Sequence, residues 1–262
     1  MQQLRLNQGT DAETPDPVWH WLYRIGGVAA LIMAMIIPLQ LIVFIVSPPP
    51  STVIGWFTLF QKNKLLGLLS FECLFIIYGA LSIPMSLALY VALRRTSQSF
   101  TAIYMALSLV GVVALFVARP AFDMLHLSNQ YAAATTDAQR SVFLAAGEAM
   151  LAIFHGTAFQ VSYVFGSLTG LVISVVMLRS NIFSRLTAYV RILSSVFDFG
   201  IFVPTIGIFI SAFSAVLLLT WNILIARRLL QLGHERRSGS EGHRACAASI
   251  ARAQDHGHLA ED

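Results

Sequence analysis

The sequence predicts an all-α integral membrane protein, a polytopic bundle of six transmembrane helices with an extracytoplasmic amphipathic helix. Of the 262 residues, 56% are hydrophobic and only 11% are charged, whereas an average soluble domain carries roughly a quarter charged residues. The mean hydropathy is +0.71. Apolar residues occur in runs close to the ~20 residues that a helix needs to cross a bilayer. These observations exclude a soluble enzyme, a disordered chain, a coiled coil and a disulfide-stapled secreted domain.

The boundaries of the six spans come from aromatic, proline and basic residues. The first span follows an aromatic cluster, which suits the headgroup interface, and ends at three consecutive prolines. The second is bounded by Lys64 and Arg94, the third ends at Arg119, and the sixth ends at Arg227. A short segment with two arginines separates the fourth from the fifth. We therefore predict spans over residues 24–46, 65–93, 100–118, 157–178, 186–203 and 206–226.

Residues 138–156 are predicted to form the amphipathic helix. At about 100° per residue, Ser141, Glu148 and His155 share one stripe, and apolar residues lie on the opposite face. The alternative is a seventh span. Two crossings would then have about 17–18 residues each, joined by a very tight turn, near the lower limit for a transmembrane helix. A helix lying on the surface or capping the bundle is the preferred interpretation.

The distribution of basic residues predicts the orientation. With six spans, twelve of the 17 Lys and Arg residues fall on the side of the two termini, four fall on the other side, and Arg191 lies within the fifth span. The positive-inside rule then places both termini in the cytoplasm. Residues 1–23 are the cytoplasmic N-terminal segment, and residues 229–262 are a flexible basic tail. This tail suits an anionic inner leaflet better than nucleic acid.

Ionisable residues within spans are costly and are therefore candidates for function. Glu72, Arg191 and Asp198 meet this criterion, and Ser195 lies on the same face of the fifth span as Arg191 and Asp198. An outward-opening polar cavity for a ligand or a proton would explain their distribution. The alternative is structural: Arg191 extends toward the inner surface, and the acids are paired or protonated.

The fourth span carries small residues at every fourth position: Ser162, Gly166, Gly170 and Ser174. Small residues allow the backbones of membrane helices to approach closely. Ordinary packing within the chain is one interpretation of this groove. A homodimer seam or a binding surface for a membrane protein partner is the other.

A metal site has weaker support. Asp123, His126, Glu148 and His155 supply residue types that bind metals, but no spacing typical of a metal motif relates them. A solvated surface is the preferred interpretation. The sequence contains no catalytic signature and predicts no cofactor, so an enzyme is unsupported although not excluded.

Three functional hypotheses remain open at this stage. The first is small-molecule or ion handling, by transport or sensing, through the outward-facing cavity. The second is an accessory membrane protein that binds its partner through the groove of the fourth span. The third is an extracytoplasmic metal-dependent hydrolase.

One region of the sequence is similar to known proteins. Residues 128–131 (SNQY) are followed by AAATTDAQRSVFLAAGEAMLAIFHGTAFQ, then by VMLRSNIFSRLTAYVRIL and FVPTIGIF. These stretches resemble a family of bacterial multi-spanning membrane proteins known only as a domain of unknown function, and the resemblance extends roughly over residues 24–233. It implies a bacterial integral membrane protein of the cytoplasmic (inner) membrane and carries no catalytic residues.

Overall fold

The structure is a computed structural model that describes residues 17–202, 207, 210 and 213–234. Most of the expected N-terminal segment and tail, and part of the sixth span, lie outside these residues. The described part is helical and contains no strand. Short 3-10 turns cover Pro17–Trp19 and Phe199–Phe202. The α-helices are α1 His20–Val46, α2 Val53–Lys62, α3 Lys64–Ser70, α4 Cys73–Leu93, α5 Gln98–Val117, α6 Ala121–Ala133, α7 Asp137–Phe154, α8 Thr157–Leu178, α9 Arg185–Asp198 and α10 Phe213–His234.

Five helical segments are long and apolar enough to cross a membrane, which agrees with a membrane-spanning helical bundle. Helices α1, α4 and α10 each form one of them. The other two are Gln98–Ala133, in which α5 continues into α6, and Asp137–Leu178, in which α7 continues into α8. The expected fifth span contains α9, which has only 14 residues, and it is not among the five.

Four helices begin at side-chain caps, as expected for Ser, Thr and Asn at such positions. The side-chain oxygens of Thr52, Asn63, Thr136 and Ser184 accept hydrogen bonds from the first turns of α2, α3, α7 and α9. The expected second span is interrupted because α3 ends at Ser70 and α4 begins at Cys73. Between them Glu72 has a φ of 60°, a left-handed conformation that is uncommon for a residue other than glycine.

The long helices alternate in direction. At one end of the bundle, which we call the base end, a Cβ atom on Gly233 would lie 3.3 Å from the backbone nitrogen of Arg24. The start of α1 and the end of α10 therefore meet there. Buried apolar residues of α1, α4, α5, α8 and α10 form the core at this end, including Tyr23, Leu93, Tyr104, Met177, Ile225 and Leu229.

Helices α2, α3, α6 and α7 form a second layer, the cap, at the opposite end. Its core is largely aromatic and consists of Val53, Trp56, Phe57, Phe60, Phe71, Ala121, Met124 and Phe154. Helix α7 covers the segment for which an amphipathic helix is expected, and its buried residues are Gly147 and Phe154. The absence of a side chain at Gly147 lets α7 approach α2, because a Cβ atom there would clash with Val53.

Helix α9 and the start of α10 form an antiparallel pair. As the chain proceeds from Arg191 through Ser194 to Gly200, the contacting residues on the other side run backwards from Trp221 through Ser214 to Ile210. Helix α8 lies against both α5 and α9. This arrangement buries the polar face of α9 within the bundle.

Candidate functional site

Helix α9 has its polar side inside and its apolar side outside. Thr187, Arg191, Ser194 and Ser195 are buried, whereas apolar residues of the same helix are exposed, namely Leu186, Tyr189, Leu193 and Val196. This is the reverse of a helix on a water-soluble protein. It is the arrangement expected where the surroundings are lipid and the polar groups must find partners inside the bundle.

The guanidinium of Arg191 is buried, with 8% of the residue exposed. Its Nη2 donates to the carbonyl oxygen of Gly166 at 3.1 Å, and its Nη1 donates to Ser194 Oγ at 3.4 Å. Its Cζ lies 5.0 Å from the centre of the Trp221 ring, within the range of a cation–π contact. Among the described residues no carboxylate lies within 4.0 Å of it. Neutral dipoles and a ring face surround this charge.

Two serine hydroxyls connect Arg191 to the nearest acid on its own helix. Ser194 Oγ lies 3.3 Å from Ser214 Oγ, and Ser214 Oγ donates to a carboxylate oxygen of Asp198. Asp198 is partly exposed. The cation and the carboxylate are therefore linked through a relay of hydroxyl groups and make no direct ion pair.

Gly170 on α8 leaves the space that the Arg191 side chain occupies. A Cβ atom at position 170 would lie 2.5 Å from Arg191 Nε and 2.7 Å from Cζ, and it would also clash with Ser195 Oγ. The neighbouring hydroxyl of Ser174 donates to the carbonyl oxygen of Gly170 at 2.7 Å. At this level the groove of the fourth span is filled by α9 of the same chain.

The other half of that groove behaves differently. The Cβ position of Gly166 has no neighbouring atom within 4 Å, and Ser162 Oγ donates to the carbonyl oxygen of Phe159 in its own helix. The Cβ position of Gly166 therefore faces open space, although the backbone nitrogen of Gly166 lies 3.9 Å from the Cβ position of Gly111 on α5. Gly166 contributes its carbonyl oxygen to Arg191 and leaves open space on the same face as Gly170.

Three donors next to this arrangement have no acceptor in the described part of the chain. They are Arg191 Nε, the hydroxyl of Ser195 and the indole nitrogen of Trp221, all buried. Buried polar groups are normally hydrogen-bonded. The side-chain nitrogen of Asn222 donates to the Tyr78 hydroxyl at 3.3 Å, while Asn222 Oδ1 has no partner in the same region.

Glu72 lies in a different place from the other predicted site residues. Its Oε2 is 2.6 Å from Arg119 Nη2, and the two side chains are 18% and 3% exposed. The Arg119 guanidinium is also close to three phenylalanine rings, those of Phe75, Phe154 and Phe159, at 6.0, 5.1 and 5.2 Å. This ion pair joins the start of α4 to the junction of α5 and α6.

The structure thus brings together only part of the predicted site. Arg191, Ser195 and Asp198 lie on one face of α9, whereas Glu72 is paired with Arg119 and makes no hydrogen bond or ion pair with them among the described residues. The outward-opening cavity expected from the sequence stays a prediction. Sequence reasoning missed Arg119 as the partner of Glu72, and it missed Ser214, Trp221 and Asn222 on α10. The signal for the last three is that their side chains carry polar groups in the mostly apolar first half of α10.

The weak metal candidates do not come together. Asp123, His126, Glu148 and His155 are exposed. Within the described ranges, no three His, Cys, Asp or Glu residues are grouped closely enough to hold a metal ion.

A surface depression of about 320 Å³ lies on the cap and is lined by Phe57, Thr58, Gln61, Lys62, Tyr131 and Ala132. None of the predicted site residues contributes to it. It is open, and most of its surface is apolar although Thr58, Gln61 and Lys62 contribute to its lining.

No protein-family model, no curated protein sequence and no solved structure matches this chain. The resemblance to uncharacterised bacterial membrane proteins stays a prediction. The geometry around Arg191 is therefore the basis for a functional proposal.

Proposed function

We propose that the protein is a multi-pass protein of the bacterial cytoplasmic membrane that transports or senses a small molecule or ion, with its binding site at Arg191. The observation that carries this proposal is a buried guanidinium with no carboxylate within 4.0 Å among the described residues. Glu72, the third intramembrane candidate, acts in this proposal as a structural partner of Arg119.

Burial of the Arg191 guanidinium has an energetic cost. Removing a charged side chain from water costs several kcal/mol even after local relaxation, so intramembrane charges are rare and face partners, cavities or substrate pathways. An apolar residue at position 191 would pack between α8 and α10 without this cost. Stability alone therefore gives no reason for an arginine there, whereas binding of a polar or charged ligand does.

The contacts between helices support six crossings, with the start of α1 and the end of α10 on the same side. The end of α10 lies beside the start of α1, and α9 runs antiparallel to α10. The 3-10 turn Phe199–Phe202 extends α9 toward the cap end. An even number of crossings follows if the base end faces one compartment. The excess of basic residues near the chain ends favours the cytoplasm for that compartment.

The two alternatives receive less support from the contacts. An accessory protein that binds a partner through the groove of the fourth span needs that groove to be free, and Gly170 is covered by α9. A metal-dependent hydrolase needs grouped ligands; the four candidates on the cap are exposed, and within the described residues no three ligands are grouped.

Water access to the α9 face tests the proposal. In the full chain lacking Cys73 and Cys246, Ser195→Cys should react with a membrane-impermeant thiol reagent added outside intact cells, because a ligand site must open to water. Ala188→Cys is the matched control: it lies on the same helix and is equally buried, but in the apolar core of the base end. If folded Ser195→Cys protein reacts no faster than Ala188→Cys, the proposal is wrong.

A further inference from the structure

We infer that the Arg191 site binds one small monovalent anion, either an inorganic halide or the carboxylate of a compact organic acid. This inference deepens the proposed function, because it names the class of ligand that the same site takes. It depends on the chemistry of the groups that surround Arg191 and on the lack of a carboxylate in direct contact with its guanidinium among the described residues.

Three buried side-chain groups near Arg191 have hydrogens available for hydrogen bonds. Arg191 Nε, Ser195 Oγ and Trp221 Nε1 are all donors, all buried, and all without a hydrogen-bond partner in the described part of the chain. Donors without acceptors in a buried site favour a ligand that only accepts hydrogen bonds. Halide ions and carboxylate groups have this property.

Two of these donors are neighbours, because Arg191 Nε and Ser195 Oγ both lie against the Cβ position of Gly170. The face of the Trp221 ring lies against the same guanidinium, its centre 5.0 Å from Cζ. An acceptor that binds the paired donors of α9 therefore lies beside a positive charge, and such charge-assisted hydrogen bonds are stronger than neutral ones.

The Arg191 guanidinium has no carboxylate in direct contact among the described residues. Water molecules could satisfy the free donors, but they would leave this cation without an anionic partner at contact distance. Glu72 is paired with Arg119, and two serine hydroxyls separate the Asp198 carboxylate from Arg191. Because Asp198 already supplies one negative charge at a distance, a monovalent anion adds less excess negative charge to the site than a divalent anion would.

The open space beside Gly166 offers an anion a route to Arg191. Residues four apart on a helix share a face, so the open space at Gly166 lies one turn from Gly170, toward the start of α8 and the cap end. Gly166 also binds Arg191 Nη2 through its carbonyl oxygen. An anion that enters between α8 and α9 at this level reaches the guanidinium without passing the packed core of the base end.

The test uses the purified full-length protein in detergent. Its thermal unfolding midpoint is measured against increasing chloride, bromide, formate or acetate, with gluconate replacing the anion at constant ionic strength. We expect a saturable rise in the midpoint with at least one of these anions. A rise with halides alone identifies an inorganic ligand, and a rise with formate or acetate identifies a carboxylate.

Variants connect the effect to the site. Trp221→Phe and Ser195→Ala each remove one free donor and should weaken the apparent affinity about tenfold, and Arg191→Gln should abolish saturation. Trp56→Phe is the matched control, since Trp56 is a buried tryptophan of the cap core, and its affinity should equal that of the unmodified chain. If Arg191→Gln does not fold, Trp221→Phe and Ser195→Ala still test the inference.

The inference is wrong if no anion produces a saturable shift, or if Trp221→Phe and Ser195→Ala bind as tightly as Trp56→Phe. If Ser195→Cys reacts from outside but no anion shifts the unfolding midpoint, the anion inference is wrong and the proposed function still stands. An anion effect without any reaction at Ser195→Cys would instead leave a structural anion site and overturn transport or sensing through it.

Discussion

The guanidinium of Arg191 occupies the position that a side chain at residue 170 would need. A Cβ atom on Gly170 would lie 2.5 Å from Arg191 Nε, which is too close for two non-bonded heavy atoms. The glycine of α8 and the arginine of α9 therefore form one unit. Close helix packing, for which small residues are known in membranes, here makes room for a buried charge.

This relationship predicts different tolerances at two glycines of the same helix. Gly170→Ala should destabilise the protein by about 1–3 kcal/mol, the usual range for overpacking, because the methyl group displaces Arg191 or separates α8 from α9. Gly166→Ala should be tolerated because its Cβ position has no neighbour within 4 Å. Thermal unfolding in one detergent compares the two. Equal effects of both substitutions would contradict the geometry of the α8–α9 contact.

The hydroxyl relay makes a second prediction. Ser214→Ala removes the donor to Asp198 and the partner of Ser194, so it should cost about 1–3 kcal/mol, as expected when a buried polar group loses its partner. Thr220→Ala on the same helix is the control, because the Thr220 hydroxyl is exposed and donates only to its own helix. A double-mutant cycle of Ser214→Ala with Asp198→Asn should show coupling, and additive effects would disprove the relay.

A third prediction concerns the ion pair beneath the cap. Arg119→Met leaves the largely buried carboxylate of Glu72 without its partner and should cost about 3–5 kcal/mol, as for other broken buried pairs. Glu72→Gln combined with Arg119→Met should recover much of this loss, because no uncompensated charge then remains.

The exposed ion pair of α7 provides the comparison for that experiment. Arg140 Nη1 lies 3.8 Å from Asp137 Oδ1, and both side chains are well exposed. Arg140→Met should leave the unfolding midpoint nearly unchanged, because exposed ion pairs contribute little. If Arg119→Met were as mild as Arg140→Met, the pair beneath the cap would have no structural role.

The fourth prediction concerns orientation. A reporter that is active only in the cytoplasm should be active when fused after Gly233 and silent when fused at Asn129, because Gly233 lies at the base end and Asn129 in the cap. Five crossings would place the start of α1 and position 233 in different compartments. Activity at Asn129 would therefore contradict the proposed topology.

The sequence predicted the helices and their buried faces better than it predicted which residues pair between helices. The buried stripe of α9 follows from a 3.6-residue period, and the long apolar helices follow from length and composition. The pairing of Glu72 with Arg119 could not be predicted, because the two residues are distant in the chain and no periodicity relates them. The break at Glu72 also has no glycine or proline to signal it. Gly166 and Gly170 look equivalent in the sequence, and only the position of α9 distinguishes them.

Burial of Arg191 also affects how the chain enters a membrane during synthesis. A translocon releases a helix into lipid according to its own apolarity, and an arginine near the helix centre costs about 2.5–3.5 kcal/mol on the insertion scale. Helix α9 has 14 residues, and the indole ring and Ser214 hydroxyl that accommodate its polar face come from α10. We therefore expect the nascent α9 to remain beside the translocon until α10 emerges, so that the two helices enter the bilayer together as a hairpin.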